Sequence, residues 1–160
     1  MTRSAFVLLA LVAAMPAHAE SRAGMAATMA VSVEILPNCT VATGPLMFGS
    51  AQNGTGATAT SQIAVNCGPS VPFTMQLDRG RQPDARGRRA LDAASGRYLS
   101  YGIYRDAAYQ SAWSDTADGS ASGTTDSSGQ FHLTAYGRIE PGQATVAGTY
   151  ADAVVVTVQF

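Results

Sequence analysis

The chain has 160 residues, a charged fraction of 13% and a formal net charge of -1 at pH 7. All 10 basic residues are arginine, which excludes chemistry that needs lysine: Schiff bases, P-loop phosphate binding and lysine–asparagine isopeptide links. A nearly neutral chain also lacks the dense cationic face of a general nucleic-acid binder, and its length suits one domain.

Residues 1–19 have the pattern of a secretory signal peptide. Arg3 supplies a short positive region, and the apolar run 5–14 is too short to span a bilayer as a helix. Ala17-His18-Ala19 is a small-x-small cleavage site. We expect cleavage after Ala19 and export from the cytoplasm, with an uncleaved anchor as the alternative.

Apolar side chains alternate with polar ones along most of the remaining chain, which is typical of half-buried β-strands. In chain order the alternating runs are 25–35, 63–67, 71–77, 99–103, 131–135 and 154–160. Turn-rich stretches separate them, and no run has a sustained period of 3.6 residues. The pattern predicts an antiparallel β-sandwich.

Cys39 and Cys67 form an even pair in a chain that carries an export signal. We expect a disulfide, with two free thiols as the alternative. The bridge would close a loop of about 28 residues and contribute roughly 3–4 kcal/mol.

Two long stretches are predicted as loops. Residues 78–96 are rich in arginine, which indicates either a solvated hairpin or a contact patch for a neighbour or an acidic surface. Residues 111–130 are rich in Ser, Gly, Thr and Asp, and Trp113 is their expected hydrophobic anchor.

The sequence offers no catalytic constellation. His132, the one histidine left after cleavage, lies in a strand with a mixed, outward face. Asp115, Asp118 and Asp126 share a flexible loop, which is a poor support for a carboxylate pair. Two cysteines and one histidine at scattered spacing do not make a zinc site. We therefore predict no catalytic residue, metal or cofactor, and a secreted hydrolase is the least favoured function.

The two ends of the chain carry the most information. The alternating run of the N-terminal segment 20–36 is either the first strand of the domain or a strand that is added to another subunit. Its alternating residues are Met25, Ala27, Met29, Val31, Val33 and Ile35. The chain closes on an apolar strand whose edge we expect something to cover. The alternating residues of that strand are Val154, Val156, Val158 and Phe160.

Several motifs, in an order that spans nearly all of the mature chain, carry a family resemblance. They are Cys39-Thr40-Val41, Leu46-Met47-Phe48-Gly49, Asn66-Cys67-Gly68, Tyr98-Leu99-Ser100-Tyr101-Gly102-Ile103, Tyr136-Gly137-Arg138-Ile139 and Gly148-Thr149-Tyr150-Ala151-Asp152. The chain resembles the spore coat protein U domain family, which includes subunits of archaic (Csu-type) chaperone–usher pili.

The resemblance implies an immunoglobulin-like sandwich, residues 37–160, that lacks its last strand. A periplasmic chaperone would lend a strand to the open groove, and at an outer-membrane usher the segment 20–36 of the next subunit would replace it. The six alternating N-terminal residues would then be the donor strand. Val154, Val156, Val158 and Phe160, on a last strand over 151–160, would form the acceptor groove and chaperone contact.

The function so implied is that of a structural subunit of a secreted surface pilus, supporting adhesion or biofilm formation. Its partners would be the chaperone, the usher and other pilus subunits, with no nucleic acid. It would lie in the periplasm during assembly and then at the cell surface. The alternative is a secreted, self-complete sandwich that acts as a spore-coat-like or ligand-binding surface protein.

Overall fold

The computed structural model describes residues 29–33 and 38–160. The predicted signal peptide and the donor positions Met25, Ala27 and Ile35 lie outside the described residues. The chain divides into two units, Met1–Glu34 and Ile35–Phe160. In the first, residues 29–33 have no regular secondary structure and are exposed. The second contains every strand found in the described part of the chain.

The second unit is built from antiparallel strands in two sheets. The strands are β1 (Thr40–Thr43), β2 (Ala57–Asn66), β3 (Pro72–Leu77), β4 (Arg88–Asp92), β5 (Arg97–Tyr104), β6 (Ala121–Thr124), β7 (Gln130–Ile139), β8 (Tyr150–Ala151) and β9 (Val156–Gln159). One sheet has the order β1-β2-β7-β5-β4-β8, and the other has the order β6-β3-β9. Neither the 29–33 stretch nor 38–160 contains a helix that could cross a membrane.

The core lies between the two sheets and follows the alternation of the strands. Ile63 and Val65 of β2 and Ala135 of β7 face Phe73 and Met75 of β3, and all five are buried. Alternate residues of the same strands point to solvent, because successive side chains of a strand point to opposite faces. The predicted all-β immunoglobulin-like sandwich is therefore confirmed.

The arginine-rich stretch 78–96 is not simply a loop, because it contains β4. A hydrophobicity pattern does not predict β4, because two of its inward-facing residues, Arg88 and Asp92, are charged although both are buried. The guanidinium of Arg88 donates hydrogen bonds to the carbonyl oxygens of Leu77 and Asp78. A buried charge that is fully hydrogen-bonded can occupy a strand position where an apolar residue is expected.

Residues 111–130 also contain a strand, β6, which pairs with β3. The predicted anchoring role of Trp113 is confirmed, since its side chain is 0% exposed and its Nε1 donates to the carbonyl oxygen of Met75 at 3.2 Å. β6 is made of small residues, Ala-Ser-Gly-Thr, which give a weak strand signal in the sequence.

The last strand, expected over 151–160, is divided between the two sheets. β8 pairs with β4, whereas β9 pairs with β3. Two carboxylates hold the crossing between them: Asp152 accepts from the backbone N–H of Arg81, and Asp78 accepts from that of Val155. The two carboxylates therefore satisfy backbone N–H groups at the point where the chain leaves one sheet and joins the other.

Cys39 and Cys67 are joined by a disulfide, with their Cα atoms 4.3 Å apart. The bridge lies just before β1 and just after β2, beside the pair Thr40 and Asn66. It therefore fixes the start of the edge strand β1 to its neighbour.

Candidate functional site

β9 is the outermost strand of the three-stranded sheet. One of its edges pairs with β3, with Val156 opposite Leu77 and Gln159 opposite Thr74. Among residues 38–160, no strand pairs with its other edge. The backbone groups along that open edge are available to a further strand.

The apolar side chains of β9 are only partly covered. Val156 and Val158, together with Val154 just before the strand, pack against the core and are half-buried. Thr157 and Gln159 point the other way and are exposed. Three valines therefore extend from the core towards a region that the described residues leave open.

The wall segment, residues 45–51, packs on the inner face of the six-stranded sheet through Leu46 and Phe48. Leu46 and Phe48 lie over Gly137 of β7, so closely that a Cβ on this glycine would come within 2.8 Å of both side chains. The Phe48 ring also meets the Tyr101 ring edge to face, with centroids 6.1 Å apart. No backbone hydrogen bond joins residues 45–51 to a neighbouring segment within the described chain.

Two further inward-facing side chains are only partly covered. Leu133 of β7 and Tyr101 of β5 pack against the core, yet both are only half-buried. An inward-facing side chain that remains half-exposed indicates that the layer above it is incomplete. We call these partly covered surfaces together the groove: the valines of β9 with Val154, the wall segment, and the half-buried Leu133 and Tyr101.

One end of the groove is polar. The Tyr101 hydroxyl donates a hydrogen bond of 2.6 Å to Oδ2 of Asp152, whose Oδ1 accepts from the N–H of Arg81. Burial, and then the bond to Asp152, raise the pKa of Tyr101 above its usual value, so the phenol stays protonated and donates. Buried Arg88 lies in the same electrostatic environment, and burial lowers its pKa. This network fixes the point at which the chain crosses from β8 to β9.

The predicted groove residues differ in their positions. Val154, Val156 and Val158 lie together on one wall, whereas Phe160 is 59% exposed and lines a surface depression with Pro72 and Gln159. Of the predicted donor residues, Met29, Val31 and Val33 are described, and more than four-fifths of each is exposed. Their role as a donor strand stays a prediction.

The residues considered for catalysis are scattered. His132 lies on the outer face of β7 and is exposed, opposite Ala64 of β2. The Asp126 carboxylate accepts hydrogen bonds from Ser128 and from the N–H of Gln130, which lower its pKa and fix a turn. No group of three His, Cys, Asp or Glu residues that could hold a metal ion occurs in the ranges 29–33 and 38–160.

Sequence reasoning missed the wall segment and the polar end of the groove. Leu46 and Phe48 alternate over only two positions, which is too short a signal to distinguish a packed segment from a loop. Gly137 belongs to the motif Tyr136-Gly137-Arg138-Ile139, but its packing role could not be predicted from this single sequence, because it depends on side chains that lie about 90 residues earlier in the chain.

The comparisons with known proteins agree with this architecture. Residues 25–157 match the Spore Coat Protein U domain family. Over 107 residues the chain is 32% identical to protein U of Myxococcus xanthus, a match that covers 63% of this chain and 59% of protein U.

Among solved structures, the chain is similar to a complex from Acinetobacter baumannii, the CsuC-CsuE chaperone-tip adhesion subunit pre-assembly complex of archaic chaperone-usher Csu pili. The TM-score is 0.60 at 20% sequence identity, and the match covers 79% of this chain and 40% of the matched chain. At this identity the likeness concerns the fold. Since the family match extends over most of the sequence, the chain belongs to the Spore Coat Protein U domain family.

Proposed function

We propose that this protein is a structural subunit of a secreted surface pilus, polymerised by donor-strand exchange and supporting adhesion or biofilm formation. The observation that carries the proposal is the groove, which combines an unpaired β9 edge with apolar side chains that are only half-buried. Family membership and the fold shared with a pilus tip subunit complex support it. The role is structural and not enzymatic.

The donor strand is the segment 20–36 of the next subunit. Its described residues Met29, Val31 and Val33 are exposed and alternate, so one face can enter a neighbour's groove while the backbone pairs with β9. Each buried Val, Ile or Met contributes about 1.5–3 kcal/mol. Four or five of them give on the order of 10 kcal/mol before the costs of ordering are subtracted.

Assembly needs partners that protect the groove until the donor arrives. A periplasmic chaperone lends a strand to β9 first, and an outer-membrane usher then exchanges it for the donor. The signal-peptide pattern of residues 1–19 fits export to the periplasm. The unpaired β9 edge fits the need for a chaperone, since such edges promote aggregation.

A matched pair of substitutions in β9 tests the groove. Val158→Arg places a charge among the core-packed valines, whereas Thr157→Arg places the same charge on the exposed face of the same strand. After coexpression with chaperone and usher, Val158→Arg should give no surface polymer and Thr157→Arg should give normal polymer. Equal polymer from both variants would contradict the groove assignment.

A second pair tests the donor independently. Val31→Asp should abolish polymer while leaving binding to the chaperone intact, because it alters the donor and not the groove. Ser32→Asp, one position along, should have little effect, since its side chain points to the opposite face of a strand. Normal polymer from a chain that lacks residues 20–36 would show that the donor is elsewhere.

A secreted, self-complete coat protein is the second candidate, favoured by the 32% identity to protein U. In that case the chain's own N-terminal segment would cover its groove. A mature chain that is a stable, soluble monomer without any partner would favour this function over the pilus.

A further inference from the structure

A second concave site lies on the outer face of the six-stranded sheet, opposite the face that forms the groove. Its cavity measures about 320 Å³, and ligand cavities begin at about 300 Å³. Thr58 of β2, Arg138 of β7, Tyr109 and Pro141 are among its lining residues. None of them takes part in the groove.

Tyr109 has an unusual backbone. Its φ of 58° lies in the left-handed region, which is a genuine outlier for a bulky residue. The loop persists in this state because it winds around Asp106, whose carboxylate accepts from the N–H groups of Ala108, Gln110 and Ser111. Strain of this kind is concentrated at ligand clamps, where it places one side chain in a required position.

The strained backbone places the Tyr109 ring in a fixed aromatic corner. Its ring meets that of Tyr104 edge to face at 5.5 Å, and the guanidinium of Arg138 lies 5.2 Å from its centroid. Tyr104 in turn lies against Gly102, where a Cβ would come within 2.6 Å of the tyrosine ring. The corner is therefore held from several sides and does not need a ligand to form.

Polar groups of both signs lie beside the ring. Nε of Arg138 is 2.9 Å from Oε1 of Glu140, and the side chains are 38% and 56% exposed. No other side-chain hydrogen bond of Arg138 is found in the described part of the chain, so its terminal nitrogens can donate to a ligand. Within the cavity lining, Thr58 lies opposite Arg138 in the β2–β7 register, and its hydroxyl oxygen is an acceptor beside these donors.

We propose that this corner binds a neutral hexopyranose unit of a polysaccharide. The C–H face of a pyranose packs on an aromatic ring such as that of Tyr109. Its adjacent hydroxyls need a donor and an acceptor side by side, which the lining residues Arg138 and Thr58 provide. Glu140 offsets the charge of Arg138 and so favours a neutral sugar over an acidic one.

The test uses the mature chain with a second copy of residues 20–36 appended after Phe160 on a flexible linker, so that the groove is filled and the chain stays soluble. Neither polymerisation nor the donor segment takes part in this site. Binding to immobilised dextran, mannan and alginate is measured with the wild type, Tyr109→Gly and Tyr98→Ala. Glycine adopts the left-handed conformation without steric cost, so Tyr109→Gly removes the ring and relieves the strain together. Tyr98 is a matched control, because it is exposed on β5 and also lies under an arginine, Arg89.

We expect binding to dextran or mannan, weakened about tenfold by Tyr109→Gly and unchanged by Tyr98→Ala. The unfolding midpoint of Tyr109→Gly, followed by Trp113 fluorescence, should stay close to that of the wild type, because the relief of backbone strain offsets the lost contacts with Tyr104 and Arg138. This measurement separates lost binding from lost folding. Absence of binding to either neutral polymer, equal binding by wild type and Tyr109→Gly, or binding to alginate alone would overturn the proposal.

Discussion

Individual charged residues hold the backbone of this protein in place. Asp78, Asp92 and Asp152 accept hydrogen bonds from backbone N–H groups at turns and at the β8–β9 crossing, and Arg88 donates to two carbonyl oxygens. The arginine-rich stretch therefore looks like a solvated loop in the sequence, although two of its charges are buried. A hydrophobicity pattern cannot predict a strand whose inward positions are charged, because burial then depends on partners distant in sequence.

Asp92 makes the stability of the fold depend on pH. The hydrogen bond from Ser95, followed by backbone N–H groups, lowers the pKa of Asp92 below its usual 3.8. A lowered folded-state pKa gives stability that is present above 3.8 and is lost as pH falls through the folded-state value.

We expect Asp92→Asn to unfold at lower urea than the wild type at pH 7, with a difference that shrinks as the pH falls below about 4. The unfolding of the wild type and of the variant is followed by Trp113 fluorescence. Each is made as a self-complemented chain, which carries a second copy of residues 20–36 on a flexible linker after Phe160. Asp118→Asn, at an exposed carboxylate, is the control and should show no such difference. A difference in urea midpoint between the wild type and Asp92→Asn that stays constant from pH 7 to pH 3 would contradict this role of Asp92.

At the scale of elements, the sequence predicts the long alternating strands directly. The positions of the short segments depend instead on the residues they pack against. β2, β3 and β7 contain the alternation that predicts them. β1 is exposed at each of its four residues and is held by β2 and the disulfide. The wall segment has no ladder within the described residues, so its position rests on the packing of Leu46 and Phe48 over Gly137.

Gly137→Ala should push the wall segment off the inner face of β7, because the added Cβ would lie 2.8 Å from Leu46 and Phe48. We expect a loss of about 1–3 kcal/mol in the free energy of unfolding of the self-complemented chain, measured in urea. Gly68→Ala is the matched control, since its Cβ would meet Val71 at an ordinary 3.7 Å. Equal stabilities of the two variants would mean that the wall segment does not pack as described.

At the scale of the whole molecule, the sandwich of residues 38–160 leaves one β9 edge and part of its core uncovered. A domain of this size buries most of the apolar surface of its chain. Core side chains that stay partly exposed therefore lower its stability, and a partner that covers them would raise it. In the proposed function that partner is another copy of the chain, which makes stability a property of the polymer.

We therefore expect the mature chain alone to aggregate or to remain with its chaperone, and the self-complemented chain to be a soluble monomer with one cooperative unfolding transition. Size-exclusion chromatography and urea unfolding measure the two properties. Val31→Asp together with Val33→Asp in the appended copy is the control and should restore aggregation. A chain without residues 20–36 that is soluble and as stable as the self-complemented chain would contradict an open groove.

The sequence by itself determined the fold class, the disulfide, the anchoring role of Trp113 and the family resemblance. The fold class follows from periodic alternation, and the disulfide follows from a single cysteine pair in a chain with an export signal, so neither prediction depends on knowing which distant segments pack together. Only the tertiary structure decided that the last strand divides between two sheets, that residues 45–51 form a wall, and that Tyr109 and Arg138 share a corner. Each of these depends on residues that are distant along the chain and meet only when the two sheets are in place.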